Sequence, residues 1–351
     1  MRVERWFYGP LGFFAVGLLA MAAPVLAQSS DLPRVHVIAT GGTIASSASG
    51  LIGVEQLLAG VPALRDVAQI TFEQALRVGS SRVTPEDWLA LAGRIDAVFR
   101  DDPQVAGVVV THGTDSMEET AFFLDLVVGD ARPVVVTGAM RSADAVGADG
   151  PANLLSAARV AGDPAARGRG VLVVMNDEVH EARFVVKAHT LRVQAFTSPE
   201  SGPVGTVEAE GVRFRRGSAP RPGPFDLTGV QALPEVGIDY SFIGAPGDAL
   251  RRATESGMSG VVVAAFGSGR VSEGQAVEIG RALNEGVVVV LSSRVGSGLA
   301  RDEYGGGLAS GGRNVLSAGI LNPQKARVLL MVALTQTRDM GELARIFLHY
   351  S

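Results

Sequence analysis

The chain contains no cysteine. That excludes a disulfide scaffold, a thiol nucleophile, a thiolate-bound zinc and a lipoprotein anchor. Lysine is nearly absent too: of 31 basic residues only Lys187 and Lys325 are lysine, and the rest are arginine. Arginine keeps its proton in a protein whereas a buried lysine can release it, so each lysine in such a chain asks for an explanation. Histidine is limited to His36, His112, His180, His189 and His349, which show no metal-ligand spacing and no Ser-His-Asp set. Nothing in this set resembles a metal site. Charged residues make up only 19% against 47% apolar, which excludes disorder and allows a large core. The formal net charge of −5 argues against nucleic acid or an anionic membrane surface as partner.

The N-terminus has the form of an export signal. Arg2 and Arg5 precede an apolar run, Leu11–Ala23, followed by Pro24-Val25-Leu26-Ala27 with small residues at the cleavage positions. The run is shorter than the ~18–20 residues of a spanning helix. Residues 1–27 are read as a cleaved leader, which places the remainder in the periplasm or outside the cell. The leader carries two Arg and one Glu, so the remainder is one unit more acidic than the whole chain.

Past the leader, short Val-rich runs alternate with helical patterns. Val35–Thr40, Val105–Thr111, Pro133–Thr137, Val171–Asn176, Val236–Tyr240, Val261–Phe266 and Val287–Leu291 have the continuous apolar character of strands covered on both faces. Helices are expected over Pro85–Arg100, Met117–Val128, Pro151–Val160, Gly274–Leu283 and Pro323–Leu334. This is an α/β chain with largely parallel sheets flanked by helices. The stretch RRGSAPRPGPFDLTG, residues 215–229, has three prolines, three glycines and no periodicity. It divides a larger N-terminal domain, 28–215, from a linker, 216–229, and a smaller C-terminal domain, 230–351.

Ligands of open α/β sheets collect at the carboxyl ends of parallel strands. After the first strand comes Thr40-Gly41-Gly42-Thr43, where two glycines permit a sharp turn and put the Thr43 hydroxyl beside a small-residue segment able to act as a lid. An ordinary strand-to-loop turn gives the same pattern, and a dinucleotide loop is not matched. After the strand Val105–Thr111 comes His112-Gly113-Thr114-Asp115-Ser116-Met117-Glu118-Glu119. Asp115 or Ser116 with Glu118 or Glu119 fits a helix cap, but a cap leaves Gly113-Thr114 unexplained. Lys187 sits among apolar neighbours and is either a surface lysine or a tunable proton carrier. A hydroxyl that attacks a carbonyl needs a basic partner. Thr43 and Thr114 with Lys187 are the available set, and Asp115 can hold the lysine or receive a substrate cation.

Thr40–Ala45 (TGGTIA) and His112–Ala121 (HGTDSMEETA) resemble the two signature segments of bacterial-type L-asparaginases, and the resemblance continues through Pro133–Arg141, Ala148–Leu154, Val171–Asp177 and Leu321–Thr337. With its leader the chain is similar to the exported, type II branch. The resemblance implies hydrolysis of the side-chain amide of L-asparagine to L-aspartate and ammonia, without cofactor, by a homotetramer with sites between paired subunits. It implies Thr43 as the nucleophile that forms an acyl-enzyme and Thr114 polarised by Lys187. Asp115 would bind the substrate ammonium, Ser80 with Ser81 its carboxylate, and Ala139 would border the amide pocket. The family's lid carries a Tyr, while Ile44–Gly53 has none, and past the leader only Tyr240, Tyr304 and Tyr350 remain. Glu303 and Tyr304 from a neighbouring subunit are expected to complete the site, with Arg270 also at a cross-subunit contact. The rival readings are a glutaminase-asparaginase, a periplasmic amino-acid-binding protein, which needs the amino-acid clamp but no nucleophile, and a tRNA-linked amidotransferase subunit, which sits badly with export.

Overall fold

An eight-stranded sheet organises the first half of the chain. In the computed structural model, which describes Met1 and residues 32–217, 222–301 and 315–350, its strands begin with β1 (Arg34–Gly41). The short strands β2 (Ser46–Ser47) and β3 (Gly50–Leu51) form a separate hairpin after it. Next come β4 (Gln69–Val78), β5 (Val105–Thr111), β6 (Val134–Thr137), β7 (Val171–Met175) and β8 (Glu178–Glu181). A second small pair, β9 (Val186–Lys187) and β10 (Phe196–Thr197), precedes β11 (Gly205–Glu208) and β12 (Gly211–Phe214). The sheet order is β12-β11-β8-β7-β6-β5-β1-β4, with β7, β6, β5, β1 and β4 mutually parallel and the remaining edge antiparallel. The reversal at β7–β8 uses Asn176 and Asp177, both at positive φ (52° and 61°), a two-residue turn that suits the strand twist.

The second half is a four-stranded parallel sheet, β13 (Val236–Tyr240), β14 (Gly260–Ala265), β15 (Val288–Ser293) and β16 (Leu316–Ser317), in that order. The helices are α1 (Val54–Ala59), α2 (Pro85–Asp101), α3 (Met117–Val127), α4 (Gly150–Gly162), α5 (Asp248–Glu255), α6 (Glu273–Asn284), α7 (Pro323–Ala333) and α8 (Met340–Tyr350). Helix α2 starts where the sequence indicates. Thr84 and Asp87 bond reciprocally as a capping box, Pro85 takes the first position, and Trp88, Leu91, Ile95 and Phe99 are buried.

Packing is layered. Residues of α4 cover one face of the large sheet, among them Leu154, Ala157 and Ala161 against Val35, Val37 and Val109. On the other face α2 and α3 meet α7 and α8 in one apolar core that continues to Val262 and Val290 of the small sheet. Leu250 and Ala253 of α5 and Ile279 of α6 close the far side. The expected strands and helices are present with ends moved by one or two residues. Several elements have no counterpart in the expectation. Edge strand β4 carries Gln69, Thr71, Glu73, Gln74 and Arg77, and so lacks the apolar run of a doubly covered strand. Strands β8 to β12 have two to four residues each, too few to show a period. The described part of the Pro/Gly-rich stretch has no regular structure but is anchored: the Phe225 amide donates to the Leu126 carbonyl at 2.9 Å, and the Tyr350 hydroxyl to the Gly223 carbonyl at 2.8 Å.

Candidate active site

Four neighbouring parallel strands end side by side. Register pairs Thr111 with Thr137, Ala39 with Thr111, and Gly41 with Val78. The turns that follow β6, β5, β1 and β4 therefore leave one edge together, and they carry Ala139, Thr114 with Asp115, Thr43, and Ser80. How closely they approach is set by glycine. Gly42 has φ 82°, and a Cβ built on it would lie 2.3 Å from both Cα and N of Gly113. A Cβ on Gly113 would in turn lie 2.6 Å from Ser80 Oγ, and one on Gly138 2.4 Å from the His112 carbonyl oxygen. Backbone touches backbone at this edge, so only glycine fits. Thr43 follows directly, at the start of a single 3₁₀ turn, Thr43–Ala45.

The fifth component arrives from elsewhere. Lys187 lies on β9, pairs with Phe196 of β10, and reaches the edge with its side chain. Its Nζ donates to Thr114 Oγ1 at 2.9 Å and to Asp115 Oδ1 at 2.7 Å. Thr114 is buried and the Lys187 side chain is 16% exposed, whereas the Asp115 carboxylate is 71% exposed. The hydroxyl of Thr114, accepting from the lysine, keeps its own proton to donate. Asp115 keeps Oδ2 open toward solvent. Ser80 is buried, and its Oγ accepts from the Asp115 amide at 3.2 Å, a bond that leaves its hydroxyl proton available to donate. Among the described residues the Thr43 hydroxyl makes no hydrogen bond. An unoccupied nucleophile candidate, a lysine-bonded hydroxyl, an exposed carboxylate and a serine donor thus share one edge.

The supporting shell includes residues that sequence reasoning missed. His112 is fully buried, and burial lowers its pKa, so the ring is neutral. Its Nδ1 faces the Gly113 carbonyl at 2.7 Å, an oxygen that can only accept, and this assigns the ring proton to Nδ1. Nε2 then accepts from the Thr120 hydroxyl at 3.0 Å, and Thr120 accepts from Trp88 Nε1 at 2.9 Å. The chain Trp88–Thr120–His112 thereby holds the Gly113–Thr114 peptide from behind. On the other side Asp149 accepts from the amides of Met140 and Arg141, and Asn153 Nδ2 donates to the Gly138 carbonyl at 3.0 Å. Both lie in Ala148–Leu154, a segment noted in the sequence but given no role there; a paired Asp and Asn at a helix start was the available signal.

One local expectation changes. Ser116 occupies the N-cap of α3 without a side-chain cap bond, so no capping box forms there. Its Oγ donates instead to the Ser80 carbonyl at 2.8 Å, joining two site turns. The segment after Thr43, able to act as a lid, contains the β2–β3 hairpin, with the Ala143 amide bonded to the Ser46 carbonyl at 2.8 Å and the Ala48 amide to Asp144 Oδ2 at 2.6 Å. Ser81 is exposed in the 3₁₀ turn Ser80–Arg82. Arg270 bridges back to Phe266. Glu303 and Tyr304 lie outside the described residues. Among the described residues no group of three or more His, Asp or Glu has the arrangement to hold a metal ion.

Residues 34–220 match the family model "Asparaginase, N-terminal" and residues 235–347 the "Glutaminase/Asparaginase C-terminal domain". The chain is 40% identical to a "Probable L-asparaginase periplasmic" of Haemophilus influenzae, over 92% of this chain and 94% of that protein. It is 40% identical to "L-asparaginase 2" of Escherichia coli, over 94% and 98%. A "Glutaminase-asparaginase" of Pseudomonas fluorescens is 37% identical over 96% and 98%. The solved structure of a probable cytoplasmic L-asparaginase from Campylobacter jejuni superposes with a TM-score of 0.85 at 40% identity, covering 91% of this chain and all of that one. With both halves matched and this identity sustained along nearly its whole length, the chain belongs to the asparaginase family of amidohydrolases.

Proposed function

We propose that this chain hydrolyses the side-chain amide of L-asparagine to L-aspartate and ammonia through an acyl-enzyme on Thr43. The observation that carries the reading is the double donation of Lys187 Nζ to Thr114 and Asp115, beside the turn that carries Thr43 and whose Gly42 lies against Gly113. Thr43 Oγ attacks the amide carbon and loses its proton toward the Thr114–Lys187 pair, which requires the lysine as the neutral amine at that moment. The C–N bond breaks as the leaving nitrogen takes up a proton and departs as ammonia. Water then adds to the ester, aspartate is released, and the Thr43 hydroxyl is restored. Asp115 Oδ2 receives the substrate ammonium, and the Ser80 hydroxyl, aided by Ser81, donates to its carboxylate. Ala139 borders the amide with its backbone. A zwitterion held by one anion and one donor has a single orientation, which is what an attack at a fixed carbon needs.

The same reading includes a leader over residues 1–27 and a periplasmic or secreted site of action, and the Haemophilus relative is named as periplasmic. It also includes a catalytic domain over 28–215, a linker over 216–229 and a second domain over 230–351. The working assembly is a homotetramer in which Glu303 and Tyr304 of one subunit complete the site of another. Tyr304→Phe with unchanged turnover removes that last element.

The primary test is ammonia release from L-asparagine by wild type and Thr43→Ala. The variant is expected to lose at least about 10³-fold in kcat while still binding L-aspartate. A variant with near wild-type turnover sinks the mechanism, and amino-acid binding by a wild type that releases no ammonia points to a binding protein instead. Relatives named glutaminase-asparaginase give glutamine a claim as well. One methylene is worth about 1–3 kcal/mol in a pocket, or roughly 10–200-fold, so the ratio of the two amide hydrolysis rates defines the preference.

A further inference from the structure

Lys325, the second lysine, is buried, 1% exposed at the start of α7. Its Nζ donates to the carbonyls of Ala182 at 2.8 Å, Arg183 at 2.9 Å, and Val185. All three N–H bonds of the ammonium are thus spent on backbone oxygens of one turn, between the end of β8 and the start of β9. Lys187 is two residues beyond Val185. The neighbouring side chains of the same helical turn hold a different element: Gln324 Nε2 donates to Glu118 Oε1 at 2.7 Å, and Asn322 Nδ2 to Glu118 Oε2 at 3.4 Å. Glu118 lies in the first turn of α3, three residues after Asp115. One turn of α7 therefore grips the element that follows Thr114–Asp115 and the element that precedes Lys187.

The choice of lysine has a geometric reason. Three carbonyls that converge on one point suit a tetrahedral ammonium, whereas the flat guanidinium fork of arginine suits planar, bidentate partners. The ion is held at a cost. Burial lowers its pKa to about 8, and the nearby Glu118 and Asp125 carboxylates oppose that shift. Apart from Lys187 the chain has arginine at every other basic position, and the carbonyl cluster accounts for lysine at this one.

We propose that Lys325 is a positioning residue, and that the first turn of α7 sets the contact between Lys187 and Thr114 by holding both of their segments. The inference rests on the reading of Lys187 and Thr114 as catalytic groups. The composition supplies the test. With only two lysines, protein labelled with ¹⁵N at lysine side chains has two Nζ resonances, and Lys325→Met leaves that of Lys187 alone. Folded Lys325→Met is expected to lose about tenfold in kcat for asparagine, with KM within about threefold, and to shift the Lys187 titration midpoint; small displacements of a reacting group have effects of this size. Unchanged kcat together with an unmoved Lys187 titration overturns the proposal. Should Lys325→Met fail to fold, Gln324→Ala is expected to lower kcat about threefold and to move the same resonance, and a variant identical to wild type in both respects overturns it. A control separates the two levels: if Lys187→Met retains full activity, the catalytic reading itself has failed, whatever Lys325 does.

Discussion

The large and the small sheet end in different ways, although in both the parallel strands terminate in small polar residues. At the edge of the small sheet the polar groups satisfy one another. Ser293 Oγ donates to the Gly267 carbonyl at 2.6 Å, Ser241 Oγ to Gln275 Oε1 at 2.9 Å, and Arg294 Nη1 to the Ser241 carbonyl at 3.0 Å while its guanidinium lies over Phe266. At the edge of the large sheet hydrogen-bonding capacity remains: the Thr43 hydroxyl, the protons of Ser80 and Thr114, and one oxygen of Asp115. A closed polar edge stabilises its domain, whereas an edge with spare donors and acceptors is prepared for something else to complete it. Strand order alone does not distinguish the two, and the difference lies in which side chains find partners within the chain.

The comparison is broken most directly by filling the glycine contact. Gly42→Ala pushes a methyl into the Gly113 backbone at a residue with positive φ, and is expected to reduce kcat/KM by about 10²-fold or more, measured by ammonia release. Ser80→Ala removes the donor proposed for the substrate carboxylate, with an expected rise in KM of roughly 10–100-fold and a smaller change in kcat, from the ~1.5–3 kcal/mol of a charge-assisted hydrogen bond. Acid separates the two halves as well. The first buries His112 and His180 in the neutral form, and burial, together with the Lys325 charge, lowers the His180 pKa from 6.5 to about 4. A group depressed in the folded state contributes stability that is complete above pH 6.5 and is lost as pH falls toward 4. For His180 this amounts to about 3 kcal/mol, and His180→Gln is expected to flatten the denaturation midpoint over that window. The second half has only His349, on an exposed face of α8. The smallest effect belongs to the closed edge: Ser293→Ala is expected to cost about 1 kcal/mol of stability and to leave kcat within twofold. A large loss of activity there would erase the distinction.

What could be read in advance follows the same physics. Strands such as Val105–Thr111 are legible because burial on both faces demands an unbroken apolar run, and the helices beside them because Thr84-Pro85 and Asn322-Pro323 announce their starts. Convergence of Thr43, Thr114 and Ala139 is legible once those strands are taken as parallel neighbours, whereas Ser80 follows β4, whose polar residues hide the strand. The route of Lys187 is not, because it arrives on a two-residue strand whose position depends on long-range pairing with Phe196. The service of His112 and Asp149 as supports is equally hidden, since each acts on backbone groups brought near only by the fold.

Contact between the Gly42 and Gly113 main chains has one more consequence. The separation of the two threonines is gauged by the thickness of the polypeptide itself, with no interior side chain serving as a spacer. Replacement of Leu154 or Ile95 by other aliphatics would alter melting temperature yet leave that gauge untouched. Diversification of the hydrophobic interior is thereby uncoupled from the chemistry, and the interior can be redesigned for durability without retuning the threonines.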